Sequence, residues 1–147
     1  MIVTRSMDTA LRLLIYLARP QARQRFLKAR QIERDLRIPP FALRKILWSL
    51  TRGGLVRSLP GRGGGFCLGR QPGNISVAEV LSAIEGRVVA YPCRGVDEDC
   101  ELSGRCGVAP IYQEVEKTLE ALLGRYTIED CLANNACPQP VAGGSLS

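Results

Sequence analysis

The sequence of 147 residues contains no histidine, and this absence narrows the chemistry open to it. No imidazole is present to serve as a general base or as a metal ligand. The sequence also shows no serine–base pair and no pair of carboxylates in a helical setting that would suggest catalysis. We therefore expect that the chain is not an enzyme.

Long hydrophobic runs are absent as well. The apolar stretch at residues 10–18 is interrupted by Arg12, has no small-residue cleavage site behind it and is too short to span a bilayer. These features predict a cytoplasmic protein with no membrane partner. In that compartment six cysteines favour metal or redox chemistry over a framework of structural disulfides.

The positive charge is concentrated in the first half of the chain. The net charge is +6, but residues 1–70 contain 15 Lys and Arg against 3 Asp and Glu, whereas residues 71–147 contain 5 against 11. A polyanion attracts the first half and repels the second. The distribution indicates a half that binds nucleic acid, joined to an acidic half with another task.

The basic half follows the pattern of a winged helix-turn-helix. Apolar spacing predicts helices at residues 9–18, 29–36 and 40–51, the last two joined by the turn "RIPP". These helices also fit an ordinary helical hairpin with a solvated basic face. The segment "LVRSLPGRGGGFCLGR" favours the winged helix, because it predicts strands at 55–59 and 66–68 around a basic turn. The predicted fold is mainly α-helical with a small β wing.

DNA contacts are expected from the third helix and from the wing. In winged helices one helix enters the major groove, and a basic wing can reach a minor groove or the phosphates. The outward face of the third helix and the tip of the wing supply the candidate DNA-binding residues: Arg44, Lys45, Trp48, Ser49, Arg52 and Arg62.

The acidic half is predicted to contain a helix at residues 76–86, a polar cysteine loop, a long helix at 107–123 and a short helix at 127–134. The long helix carries an apolar stripe of Ile111, Val115, Leu119 and Leu122 or Leu123. A stripe of this length at the end of a small domain indicates a dimer interface, because dimerisation adds core to a short chain.

Three functional parts follow from this organisation. Residues 1–72 are expected to bind DNA; the family resemblance described below implies that the first helix also packs at the dimer interface. Residues 73–133 are expected to supply the linker helix, the cysteine loop and the dimerisation helix. Residues 134–147 are expected to be a disordered tail.

Three cysteines lie close together in the loop "YPCRGVDEDCELSGRCGVAP", at Cys93, Cys100 and Cys106. Thiolates hold iron–sulfur clusters, and the glycines of the loop give it freedom to wrap one. Structural zinc sites usually show C-x2–4-C pairs, which this loop lacks. A disulfide with a spare thiol, or simple surface cysteines, are the remaining alternatives. Of the other cysteines, we expect Cys67 to be a half-buried filler on the wing, Cys131 to pack in a helix and Cys137 to be exposed in the tail.

The chain resembles the bacterial IscR/NsrR/RirA family of iron–sulfur winged-helix repressors over nearly its whole length. Four segments carry the likeness: the first helix "MDTALRLLIYLA", the wing "GLVRSLPGRGGGFCLGR", the helix "ISVAEVLSAIEG" and the cysteine loop leading into "CGVAPIYQEVEKTLEALLGRYTIEDCL". The resemblance implies a homodimeric transcriptional repressor that binds double-stranded operator DNA. It also implies an iron–sulfur cluster, 4Fe–4S favoured and 2Fe–2S possible, held by Cys93, Cys100 and Cys106. This cluster would sense nitric oxide, redox or iron–sulfur status and decide whether the dimer binds its operator.

The fourth cluster ligand is an open question. In the IscR-like branch a histidine three residues after the last loop cysteine serves, but this chain has Ala109 there. In the NsrR-like branch, which the chain resembles more, an aspartate of the other subunit's first helix serves, and Asp8 matches it. Asp8 also fits a plain role, since an acid in the first helical turn is favoured by the helix dipole and Arg12 lies four residues on. Other candidates are Asp97, Asp99, Glu101, the tail cysteines or a small molecule.

Two other functions share some of these features. A cluster-free winged-helix regulator that responds through thiol oxidation or a small molecule keeps the DNA-binding half without the metal. A redox electron carrier shares the cysteines, but it has no need for a half with such an excess of positive charge.

Overall fold

Helix α1 (Arg5–Ala18) begins the fold and lies at the centre of its core. The structure is a computed structural model that describes residues 4–23, 25–86, 100–102 and 104–134. Because the Thr4 side chain accepts a hydrogen bond from the Met7 N–H, α1 begins four residues before the predicted start at Thr9. Leu13, Leu14 and Leu17 are almost fully buried. Burial of each such side chain contributes about 2 kcal/mol of stability.

Helices α2 (Ala29–Leu36) and α3 (Pro40–Arg52) form the helix-turn-helix within a residue of the predicted bounds. The Tyr16 hydroxyl donates a 2.6 Å hydrogen bond to Asp35 and so ties α1 to α2. Burial, together with this bond, raises the pKa of Tyr16 to about 12. Arg37 ends α2 in the left-handed conformation, with φ 53° and ψ 43°. Pro40 begins α3 at a position where its missing N–H costs nothing.

The substitution Arg37→Gly is expected to stabilise the fold by about 0.5–1 kcal/mol, because glycine relieves the left-handed strain but loses more chain entropy on folding. Urea unfolding followed by circular dichroism measures the change. Arg34→Gly is the control within α2, where glycine is expected to cost about 1 kcal/mol. Equal destabilisation by both substitutions would contradict the strain at Arg37.

The wing is an antiparallel hairpin of β1 (Val56–Leu59) and β2 (Gly65–Leu68), in the register Val56↔Leu68. Each strand differs from its predicted range by one residue. Strand β2 also pairs with Leu27 on its other side, through two backbone hydrogen bonds of 2.8 and 2.9 Å with Phe66. Gly65 has φ +149°, and a Cβ there would lie 2.4 Å from the Leu27 carbonyl oxygen. Glycine is therefore required where the wing docks on the helical body.

Helix α4 (Val77–Glu85) follows a 3-10 turn at Pro72–Asn74. Ser76 is its N-cap and forms a capping box with Glu79. The hydrogen bond from the Ser76 backbone, together with Arg70 at 2.8 Å, holds the pKa of Glu79 below its usual value. Helix α4 packs against α1 and against the end of α3, where a Cβ on Gly53 would lie 3.2 Å from that of Ala83.

Helices α5 (Ala109–Gly124) and α6 (Ile128–Ala133) complete the fold. Helix α5 starts two residues after the predicted Gly107, and α6 packs its buried Ile128 into the core beside α1. None of the helices in the described residues is long and apolar enough to cross a membrane. The observed architecture confirms the predicted mainly α-helical fold with a two-stranded wing.

Candidate DNA interface and cysteine site

The outward face of α3 carries four of the predicted DNA-contact residues in one line. Arg44, Lys45, Trp48 and Arg52 are exposed, at spacings of one, three and four residues, so they share one helix face. Ser49 is only half-buried and lies at the edge of this face. The opposite face holds α3 in the core through Leu43, Ile46, Leu47 and Leu50.

Two aromatic side chains interrupt the row of cations on this face. Trp48 is 60% exposed, and the Arg52 guanidinium lies 4.6 Å from its ring centroid. This is a cation–π contact, which favours stacking of the two side chains. Phe41 is 80% exposed in the first turn of α3 and is not among the predicted contacts. Phe41 lies three and four residues before Arg44 and Lys45, and this spacing could have identified it as a residue of the same helix face. The charge pattern did not identify it, because Phe41 carries no charge.

The tip of the wing presents Arg62 to solvent, as predicted. Gly61 beside it has φ +95°, and its carbonyl oxygen accepts a 2.8 Å hydrogen bond from the Lys28 ammonium group. That bond anchors the turn to the start of α2. A Cβ on Gly64 would lie 1.9 Å from the Leu59 carbonyl oxygen, so the wing itself requires this glycine. The glycines of the turn thus keep it compact and leave Arg62 projecting.

Helices α2 and α3 and the wing enclose a groove of about 430 Å³. Its lining is largely apolar, with Trp48 and Phe66, and it also includes the polar Ser58 and the acidic Glu33. Its rim is basic on the α3 side through Arg44. Helix α3 contains no Asp or Glu. A cationic helix beside a cationic wing is suited to a polyanion such as the phosphate backbone.

The second half of the cysteine loop lies directly before α5. Cys100 and Cys106 are half-buried, and neither is in a disulfide. Gly104 between them has φ +76°. The Arg105 N–H donates to the Leu102 carbonyl at 2.9 Å, so the chain turns sharply between the two thiols. Among the described residues, no three Cys, Asp or Glu side chains are grouped as metal ligands.

Several predicted site residues lie outside the described residues: Cys93, Asp97, Asp99 and Cys137. Glu101 is described and exposed. The other two cysteines lie in the folded body. Cys67 is buried on β2, more deeply than the half-buried position expected, and Cys131 packs half-buried against the core from α6.

Asp8 lies in the first turn of α1 with its side chain 61% exposed. Its carboxylate is 3.9 Å from Arg12, so the expected ion pair is present but loose. The Thr4 hydroxyl that caps α1 hydrogen-bonds to Glu85 at the end of α4, from which the cysteine loop departs. Ala109, at the IscR histidine position, is buried at the start of α5. Asp8 therefore lies in the first turn of α1, whose capping residue contacts the end of α4.

The apolar stripe of α5 is divided between the core and the surface. Leu119 and Leu123 pack half-buried against the core, whereas Ile111, Val115 and Leu122 are 59%, 41% and 44% exposed. Of the three glutamates of this helix, Glu114 and Glu120 are exposed, whereas Glu116 is half-buried. A long exposed apolar stripe on a helix is typical of a surface that binds another protein.

Known proteins resemble this chain in sequence and in fold. A family model described as "Rrf2: Iron-dependent Transcriptional regulator" matches residues 3–134. The chain is 36% identical over 92 residues to the regulator IscR of Xenorhabdus nematophila, covering 63% of this chain and 56% of that protein. It is 30% identical over 133 residues to the regulator NsrR of Bacillus subtilis, covering 90% of each.

The solved structure of CymR (YrzC), the global cysteine regulator of B. subtilis, superposes with a TM-score of 0.68 at 21% identity. The alignment covers 92% of this chain and 98% of that one, and it bears on the fold alone. The sequence relatives are named as transcriptional regulators, which is a DNA-binding and non-enzymatic role, as expected. These relatives favour the regulator over the electron carrier. The chain belongs to the Rrf2 family of transcriptional regulators.

Proposed function

We propose that this regulator represses transcription by binding operator DNA as a homodimer, and that an iron–sulfur cluster in its cysteine loop controls the binding. The observation that carries the proposal is that α4, which the cysteine loop follows in the sequence, contacts both α1 and α3. Helix α4 hydrogen-bonds through Glu85 to the cap of α1, and it touches the end of α3 at Gly53. A rearrangement of the loop would therefore be transmitted through α4 to α3, the helix proposed to contact DNA.

DNA is bound by the two basic elements of the first half. In the proposal α3 enters the major groove with Arg44 and Lys45 toward the bases or the phosphates, and Trp48, Ser49 and Arg52 support it. Arg62 reaches a minor groove or a phosphate from the wing tip. Residues 1–72 form this DNA-binding part.

The donor set of the loop fits an iron–sulfur cluster. Cys100 and Cys106 are unbridged thiols on either side of a glycine turn, and thiolates are the ligands these clusters use. Ala109 offers no donor atom, so the fourth ligand comes from elsewhere. In the proposal Cys93, Cys100 and Cys106 hold the cluster, and Asp8 from the second subunit completes it. The loose Asp8–Arg12 ion pair leaves that carboxylate available at small cost.

A bound cluster supplies iron that reacts with nitric oxide or oxygen, and the protein converts that reactivity into movement. A carboxylate is a harder and weaker partner than thiolate for this iron, so Asp8 is the ligand most readily lost. If a cluster were held in this way, Asp8 would tie the start of α1 to the partner's loop. Since α1 packs against α3 and α4, that tie would couple the cluster to the tilt of the helix-turn-helix.

The homodimer is formed through α5. Two copies of the stripe of Ile111, Val115 and Leu122 cover each other across a two-fold axis, since an apolar helix face is self-complementary when helices pair. In this arrangement residues 73–133 hold the cluster and the dimer contact, with α1 beside them. A dimer also places two copies of α3 on the two halves of a palindromic operator.

The substitutions Arg44→Ala and Arg62→Ala test the DNA interface. Each is expected to weaken binding to a selected operator by roughly tenfold. If the side chain neutralises a phosphate, the slope of log affinity against log salt becomes shallower by about 0.9 when that side chain is removed. Fluorescence anisotropy at salt concentrations between about 50 and 200 mM measures both quantities. Arg125→Ala, an exposed cation of the acidic half, is the control and should change neither; equal effects of all three variants would contradict the assigned interface.

A further inference from the structure

Phe41 is the most exposed of the large hydrophobic side chains in the described part of the chain, at 80%. It is the second residue of α3, directly after Pro40. The tandem prolines fix the backbone there, with Pro39 extended and Pro40 in the first helical position, so the Phe41 side chain projects from a rigid point of the backbone. The fold buries the opposite face of α3, and it makes no use of this ring for stability.

The neighbours of Phe41 identify the class of its partner. Arg44 and Lys45 lie three and four residues on, and both are exposed on the same helix face. Trp48 and Arg52 continue that face, and α3 contains no acidic residue. This helix face has one apolar ring followed by several cations. It is therefore complementary to a partner surface that is mainly anionic and has one small apolar group. Duplex DNA has this character.

The major groove displays one such apolar feature, the C5-methyl group of thymine. The residues in the N-terminal turn of a recognition helix are those that reach base edges. A phenylalanine has no donor or acceptor, so it cannot read the polar pattern of any base pair. Phe41 can pack against the methyl group. Contact with a polar base edge is unfavourable, because the ring would displace water from that edge without replacing its hydrogen bonds.

From this placement we infer that Phe41 is a specificity-determining residue that packs on a thymine methyl group in each operator half-site. The flanking Arg44 and Lys45 hold the adjacent phosphates or bases and fix the ring over that position. The inference rests on the proposed DNA-binding function and goes beyond it, since it assigns the identity of one base. A methylated cytosine at the same position offers the same methyl group and should be bound equally at that contact.

The experiment uses the operator that the wild-type protein selects from random duplex DNA. Each thymine is replaced in turn by deoxyuridine, which removes the methyl group and leaves base pairing unchanged. Burial of one methyl group corresponds to about a fourfold change in affinity, so substitution in both half-sites is expected to weaken wild-type binding roughly sixteenfold. Only one thymine per half-site should show the effect.

Phe41→Ala is expected to bind the thymine operator more weakly and to show no further loss with deoxyuridine. Arg44→Ala serves as the comparison, because it weakens binding but should retain the response to the methyl group. The exposed position of Phe41 predicts a folded variant, which thermal unfolding verifies. The inference is overturned if wild-type protein binds every deoxyuridine operator as tightly as the thymine operator, or if Phe41→Ala keeps the full response. Failure of the wild-type protein to select any DNA would instead reject the proposed function.

Discussion

Replacing Cys106 by alanine is expected to remove the proposed iron–sulfur cluster. Purified without oxygen, the variant should contain at least about tenfold less iron and acid-labile sulfide than the wild type, and its visible absorption should disappear. The reason is that a cluster depends on every thiolate that holds it, and this chain has no histidine to substitute for one. Cys100→Ala should behave in the same way.

Controls for this prediction come from the same chain. Cys67→Ala and Cys131→Ala alter thiols in the folded body, on β2 and α6, and both should retain the full iron and sulfide content. Asp8→Ala should leave the dimer intact but change the spectrum of the cluster and the rate at which nitric oxide destroys it. Unchanged iron in Cys106→Ala would refute the thiolate site, whereas unchanged spectra and kinetics in Asp8→Ala would refute only the fourth ligand.

Placing a charge on the exposed stripe of α5 is expected to separate the proposed dimer. In Ile111→Asp the new carboxylate would be buried without a partner between the two subunits, which strongly opposes association. Because Ile111 is 59% exposed in the single chain, the monomer should keep its fold. Loss of the second half-site should reduce affinity for a palindromic operator by roughly 100-fold. Sedimentation and operator-binding measurements report the two effects.

The matched control is Gln113→Asp, which introduces the same charge at an exposed position two residues away, on another side of α5. It should remain dimeric and bind DNA as the wild type does. A wild-type protein that sediments as a monomer, or an Ile111→Asp variant that stays dimeric, would contradict the assigned interface.

Much of this fold is predictable from local signals. The bounds of α2 and α3 follow from apolar spacing, the prolines before α3 and the glycines after it. Apolar spacing places the start of α1 too late, because the cap is Thr4 and the apolar repeat begins only after the first helical turn. The role of Gly65 is not visible in the sequence, because it depends on the approach of Leu27 from a distant part of the chain.

The functional surfaces are less predictable, for the same physical reason. The division of the α5 stripe depends on where α4 lies, so sequence spacing cannot tell that Leu119 packs inward while Val115 is exposed. The loop cysteines can be recognised because thiols are rare in polar segments. A ligand such as Asp8 cannot be recognised in this way, because an acid in the first turn of a helix is already explained by its favourable interaction with the helix dipole. Phe41 escapes notice because apolar residues in a predicted helix are first assigned to the core.

In the proposed mechanism the state of a cluster in the cysteine loop sets the affinity for operator DNA. This dependence can be measured on one anaerobic preparation, by following operator binding through anisotropy while nitric oxide is added and the absorption of the cluster is recorded. We expect the affinity to change by at least about tenfold in step with loss of the cluster, and Cys106→Ala not to respond. A colourless, iron-free wild-type protein that binds the operator with the same affinity before and after nitric oxide would contradict the mechanism.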